Sequence, residues 1–123
     1  MNLRPLARGD VVLVRFPFTD LTGAKLRPAL VLALSGTPDV VLAFITSQPL
    51  PESHANAVIW PADPEFLGTG LKVVSTVRLD KLATLRRDLV LRRLGRIGPA
   101  TGQLVARALR AVFNLQRALS SPS

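Results

Sequence analysis

Apolar positions in this chain come in short unbroken runs through most of its length and change to a helical period near the end. Asp10 to Phe16 is the first run, entered through Gly9, and the Pro, Thr, Asp and Gly of Pro17 to Leu26 mark a loop after it. Arg27 to Leu34 is a second run. Its Pro28 has no backbone donor, so it belongs at the first positions of that strand or on an edge. Ser35-Gly36-Thr37-Pro38-Asp39 has hairpin-turn chemistry, and so short a turn makes the third run, Val40 to Thr46, antiparallel to the second. Residues 47–56 are polar and proline-bearing, hence a loop. Ala57 to Trp60 predicts a short strand, and Pro61 to Leu67 a single helical turn ended by Gly68 and Gly70. Lys72 to Asp80, Leu82 to Arg86 and Leu89 to Ile97 predict the remaining strands. Short strands with turns every ~8–12 residues indicate a small closed barrel or sandwich. Closure would also remove exposed edges from such apolar strands.

The period then changes. Gln103, Arg107, Arg110, Asn114 and Arg117 recur at steps of 4, 3, 4 and 3, one polar stripe on a helix over about residues 101–119 with Thr101 as an acceptable N-cap. Nearly everything else there is apolar, including Leu104, Val105, Leu109, Val112, Phe113 and Leu115. A helix so apolar needs two surfaces to pack on, the sheet and a second copy of the chain. Ser120 to Ser123 is a frayed end.

With 123 residues the chain fits one domain. No apolar run approaches the ~18 residues of a membrane span, and Met1 to Pro5 lacks the apolar segment of a signal peptide. Cysteine is absent, which excludes disulfides, thiolate metal sites and cysteine nucleophiles. The expected compartment is the cytoplasm. Charge is unevenly placed. Residues 1–77 hold six bases and six acids; residues 78–117 hold ten bases against Asp80 and Asp88, which is the whole net charge of +8. Such asymmetry points to a polyanionic partner, nucleic acid or a very acidic protein segment.

Acid–base catalysis draws on His or a carboxylate beside a second polar group. The single His54 sits in a loop with no partner at metal spacing and reads as an exposed residue. The carboxylates are few and scattered, which argues against a glycosidase pair. Gly68-Thr69-Gly70 leads into a strand, so it is a turn and not a phosphate loop. Six aromatics, five Phe and Trp60, are too few for a base-stacking platform.

Polar positions at strand ends remain. Counting outward from the hairpin turn places Arg27 and Thr46 near-opposite at its open end. They are either a phosphate clamp of guanidinium and hydroxyl, or a strand-end Arg in water beside a Thr chosen for β-propensity. Arg78 and Asp80, two apart on a strand, share a face. They are either a surface ion pair worth ~0–1 kcal/mol, or a phosphate ligand beside a proton acceptor.

Four segments, in order, resemble the MazF/PemK family: Gly9-Asp10-Val11-Val12-Leu13-Val14-Arg15-Phe16, Lys25-Leu26-Arg27-Pro28-Ala29-Leu30-Val31-Leu32, Phe44-Ile45-Thr46-Ser47-Gln48 and Val77-Arg78-Leu79-Asp80-Lys81-Leu82. Leu94-Gly95-Arg96-Ile97 followed by a helix is similar too, so the resemblance covers about residues 8–118. It implies a mainly β fold with a C-terminal helix, a small SH3-like β-barrel of the MazF/PemK/CcdB kind. The barrel would occupy about residues 8–97 and the helix about 101–119 of a single domain over 1–123, usually a homodimer. It implies the toxin of a type II toxin–antitoxin pair: a sequence-specific endoribonuclease, without metal or other cofactor, cutting single-stranded RNA. The substrate's 2′-hydroxyl attacks, leaving a 2′,3′-cyclic phosphate and a 5′-hydroxyl. The implied partners are that RNA and a cognate antitoxin with an acidic, apolar tail.

By matching positions, the resemblance makes Arg27 the ligand of the scissile phosphate and a donor toward the leaving oxygen. Thr46 would bond the same phosphate, and Arg78 and Asp80 would serve as acid and base. Thr19, Lys25, Ser47, Gln48 and Lys81 would contact RNA. Two departures stand out: the loop from Thr19 to Lys25 holds no His, which some relatives carry, and Lys81 stands where an amide is common. The alternative, from another class, is a non-hydrolytic toxin that poisons gyrase by protein contact, or an inactive nucleic-acid-binding barrel. Either leaves Arg27 and Thr46 without a catalytic role.

Overall fold

Unbroken apolar runs become strands whose two faces are both covered. In the computed structural model, which describes residues 5–16 and 25–115, the elements are β1 (Asp10–Phe16), β2 (Lys25–Leu34), β3 (Asp39–Thr46), β4 (Asn56–Ile59), β5 (Ser75–Arg86), β6 (Val90–Arg96) and α1 (Pro99–Phe113). The strands form one antiparallel sheet in the order β4-β5-β3-β2-β1-β6. One cluster, with Val11, Leu30, Ala43, Ile45 and Val77, packs under Val105 and Ala108 of α1. Val12, Val14, Ala29, Val31 and Leu42 form a second cluster with Leu85. Successive residues alternate between the two clusters. Burial on both sides is what makes the sequence continuous rather than alternating.

The sheet must curl strongly. β5 and β6 are four places apart in strand order, ~19 Å in a flat sheet at ~4.8 Å per strand. Only the 3₁₀ turn Arg87–Leu89 joins Arg86 to Val90, and four steps of chain reach at most ~14 Å. The expected closed barrel is nevertheless not formed by strand pairing: β4 and β6 are sheet edges, and no ladder joins them among the described residues. A second 3₁₀ turn, Leu67–Thr69, packs its backbone against β6 instead. A Cβ on Gly70 (φ 75°) would collide with the Leu94 carbonyl, and one on Gly95 with the Gly68 carbonyl. Backbone-to-backbone approach of this kind admits only glycine.

Several local expectations change. The two stretches predicted over 72–80 and 82–86 are one strand, β5, interrupted by a bulge. Its register against β3 jumps from Ala43↔Leu82 to Phe44↔Arg78, leaving Leu79, Asp80 and Lys81 without partners on β3. Pro28 is the fourth residue of an interior strand, tolerated where the β2–β3 ladder has already ended at Ala29.

Thr101 is buried in α1 and does not cap it. The helix starts after Gly98, and the Glu65 carboxylate accepts from the Ala100 and Thr101 amides at 3.0 and 3.1 Å. Those bonds, Ala100's first, hold the Glu65 carboxyl below its ordinary value of 4.5. The helix ends at Phe113, where Asn114 turns left-handed (φ 53°), and residues 116–119 of the expected helix lie outside the described residues. Burial on α1 falls on Thr101, Val105 and Ala108, a single face. The expected burial around most of the circumference is therefore not found within this chain, and Leu104 and Phe113 stay exposed.

The cationic half of the chain is partly structural. Asp10 is fully buried, and its carboxylate accepts from Arg93 Nε at 3.0 Å, Arg96 Nη1 at 2.7 Å and the Ala7 amide at 2.8 Å. Arg93 and Arg96 also donate to the carbonyls of Pro5 and Arg8. Two of the ten bases of residues 78–117 therefore tie the N-terminal segment to β6. No described helix is long and apolar enough to cross a membrane.

Candidate active site

The open end of the β2–β3 hairpin carries the polar residues that the strand runs deliver there. Extending the register two residues beyond Ala29↔Phe44 sets Arg27 across from Thr46, while Arg27 pairs with Val14 on β1. On the other side of β3, Phe44 and Thr46 pair with Arg78 and Thr76 of β5. Paired residues share a face, and so do residues two apart. Arg27, Phe44, Thr46 and Arg78 therefore stand on one side of the sheet.

There they border a cleft of about 440 Å³ together with Gln48 and Lys81. Phe16 and Phe44 form its apolar floor, ring centroids 4.7 Å apart and tilted by 34°. Thr46 Oγ1 accepts from the Gln48 amide at 3.1 Å. That bond uses the hydroxyl oxygen and leaves the O–H to donate to a ligand.

Arg78 is a cleft cation held by an ion pair. Nη2 donates to Asp80 Oδ2 at 3.3 Å, while Nε is buried with no hydrogen-bond partner among the described residues. An unmet buried donor costs stability and recurs where a ligand completes the set. Asp80 itself is 42% exposed and does not border the cleft. The bulge explains this: with Leu79 held by its amide bond to the carbonyl of Ala55, the residue before β4, Lys81 takes the place on the cleft rim.

A second cleft of about 390 Å³ lies across the rim. It shares Arg27, Ile45, Thr46 and Gln48 with the first, and adds Ser47, Lys72 and Arg92. No carboxylate lines either cleft among the described residues. No group of three His, Asp or Glu among the described residues could hold a metal ion.

Of the residues singled out from sequence, Arg27, Thr46, Gln48, Arg78 and Lys81 converge on the first cleft and Ser47 on the second. Asp80 reaches the site through Arg78. Lys25 is exposed opposite Phe16 at the start of β2 and lines neither cleft. Thr19 lies outside the described residues. Lys72 and Arg92 were missed, as was the aromatic floor. Lys72 looked like one base in an electrically neutral half, and Arg92 like one of a long run; nothing local joins them.

A family model described as the PemK-like, MazF-like toxin of type II toxin–antitoxin systems matches residues 7–113. A search of curated proteins gives no match. Among solved structures, the chain is similar to an endoribonuclease from a mycobacterial species in complex with its cognate antitoxin, with a TM-score of 0.70 at 25% identity over 94% of this chain and 100% of that one. A second endoribonuclease from a mycobacterial species gives a TM-score of 0.67 at 25% identity over 93% and 95%. The Mycobacterium tuberculosis toxin MazF-mt6 shares the fold at 19% identity, with a TM-score of 0.66 over 85% and 96%.

Proposed function

This chain belongs to the PemK-like, MazF-like toxins of type II toxin–antitoxin systems, and we propose that it is an endoribonuclease cutting single-stranded RNA at the cleft between β2, β3 and β5. The observation that carries the reading is the convergence of Arg27, Thr46 and Arg78 on one acid-free cleft. A phosphate there gains two guanidinium groups and a hydroxyl donor, and charge developing on its oxygens in the transition state is met by donors already in place.

The protein offers no cysteine, and an internal nucleophile needs none. The RNA's 2′-oxygen attacks the adjacent phosphorus as the P–O5′ bond breaks, giving a 2′,3′-cyclic phosphate and a 5′-hydroxyl. Held in line, such an intramolecular attack has a high effective molarity. Arg27 and Thr46 bind the phosphorane oxygens, with Arg27 also donating toward O5′. Arg78 binds from the β5 side through the guanidinium N–H groups that Asp80 does not engage. Asp80 holds Arg78 with one oxygen; lying outside the cleft wall, it accepts the 2′-OH proton with its other oxygen through a bridging water, and O5′ takes up a proton from a second water as it leaves. Gln48, Ser47 and Lys81 contact the flanking RNA, joined by Lys25 at the start of β2 and by Thr19.

A cognate antitoxin with an acidic, apolar tail fits the same cationic clefts. The exposed Leu104 and Phe113 on α1 are the surface offered to a second copy of the chain. The test is incubation of the purified protein with a long single-stranded RNA in excess EDTA, with the product ends mapped. Discrete cuts with cyclic-phosphate and 5′-hydroxyl ends are expected, and Arg27→Ala should lose at least ~100-fold in rate, the scale of one transition-state donor. An Arg27→Ala variant cutting at the wild-type rate would refute the phosphate assignment. Intact RNA with wild-type protein would favour the non-hydrolytic reading.

A further inference from the structure

The cleft on the far side of Arg27 joins an apolar floor to a cationic rim. Its floor is apolar, from Leu13, Ile45, Leu71 and Leu94, and its rim carries Arg27, Lys72 and Arg92. At about 390 Å³ it lies within the ~300–1,000 Å³ range of small-ligand sites. Three cations meet there from three separate parts of the fold: Arg27 on β2, Lys72 between the 3₁₀ turn and β5, and Arg92 on β6.

Folding, rather than sequence, gathers them. Arg92 pairs with Leu13 of β1, next to the Val14↔Arg27 pair. Lys72 is brought in by the close approach of Gly70 to the Leu94 backbone. No acid lines the cleft to neutralise these cations, whereas Arg86, Arg93 and Arg96 are spent on Asp88 and Asp10.

Resting on the ribonuclease reading above, we propose that Lys72 and Arg92 bind the phosphate next to the scissile one, with the intervening nucleoside seated on the apolar floor. Arg27, Thr46 and Gln48 then form a ridge over which the RNA passes, Arg78 and Lys81 gripping it on one side and Lys72 and Arg92 on the other. Strand polarity across the ridge is read by which flanking phosphate the variants lose.

The experiment measures binding of an all-2′-O-methyl single-stranded RNA, which has no 2′-hydroxyl to react, across a range of salt. Wild type is compared with Lys72→Ala, Arg92→Ala and Arg87→Ala, the last an exposed base outside both clefts. Each lost phosphate contact lowers the slope of log K against log salt by about 0.7 for a single strand. The affinity gap between variant and wild type should therefore shrink about 2.6-fold between 50 and 200 mM salt. In cleavage, Lys72→Ala and Arg92→Ala should raise KM with kcat held, and Lys72→Arg should restore binding. Melting curves matching wild type show that the fold is intact.

Unchanged slopes, or an equal change with Arg87→Ala, overturn the subsite, because a diffuse field would not distinguish the positions. The two readings fail separately. Normal cleavage with unaltered salt slopes sinks the subsite alone. Altered slopes with an RNA that the wild type never cuts would leave the subsite standing and remove the nuclease.

Discussion

Replacing Asp10 by Asn tests what ties the N-terminal segment to the last strand. Asn keeps the size of the side chain, so no cavity is made, but its charge is gone and one oxygen acceptor becomes an amide donor facing a guanidinium. Asp10 is fully buried and Arg93 only 11% exposed, while Arg96 is 46% exposed and can rehydrate. Removing one partner of a buried ion pair costs about 3–5 kcal/mol because the other charge is left without its counter-charge. Rehydration of Arg96 places this case at the low end, about 3 kcal/mol.

That is a large part of the ~5–15 kcal/mol by which a domain is stable. At ~4 °C per kcal/mol it lowers Tm by about 12 °C. Urea titration and thermal melting at neutral pH measure it directly. Adding Arg96→Gln to Asp10→Asn should then cost much less than Arg96→Gln in the wild type, the sign of a shared interaction. A loss under ~1 kcal/mol, or strictly additive losses in that cycle, would refute the reasoning.

Glu65→Gln should destabilise at neutral pH and make little difference in acid. The carboxyl of Glu65 is held below 4.5 when folded, so its contribution is complete above that value and is lost as pH falls through the lower folded value. Tm against pH for both proteins should converge at the acid end; a constant gap would rule out the capping charge. Gly95→Ala should cost about 3 kcal/mol, the upper end for overpacking, because the obstacle is the Gly68 carbonyl rather than a side chain that can rotate away. Gly68→Ala, whose nearest neighbour would be the Arg96 carbonyl at 3.8 Å, is the near-neutral control in the same denaturation assay.

The sequence by itself determined most of the strands and the near-opposite placement of Arg27 and Thr46, and for one reason: both are local. Asp10–Phe16 is legible because seven mostly apolar residues end where Pro17 begins. Arg27 and Thr46 are legible as near-opposite because a five-residue turn limits the hairpin's register; counting from it falls one residue short, and a bulge between Val31 and Ala33 sets them directly across. The resemblance to a known family then gave that pair an expected role, and the family model matches residues 7–113 of the chain.

Tertiary structure decided everything that depends on distant partners. Asp10 meets Arg93 across 83 positions, and Glu65 caps a helix 35 positions later. A sequence window sees a surface acid and a Thr N-cap instead. The bulge over Leu79–Lys81 is invisible for the same reason: strict alternation puts Asp80 beside Arg78, as found, but does not tell that Leu79 bonds Ala55 just before β4 while Lys81 comes to the cleft. Apolar runs announce that strands are buried, yet closure depends on how far the sheet curls, and here the edge strand β6 meets packed glycine backbone of the 3₁₀ turn rather than a ladder. Net charge told of a polyanion but not where it lies. Folding spends Arg93 and Arg96 on Asp10 and carries Lys72, from the neutral half, to the rim beside Arg27.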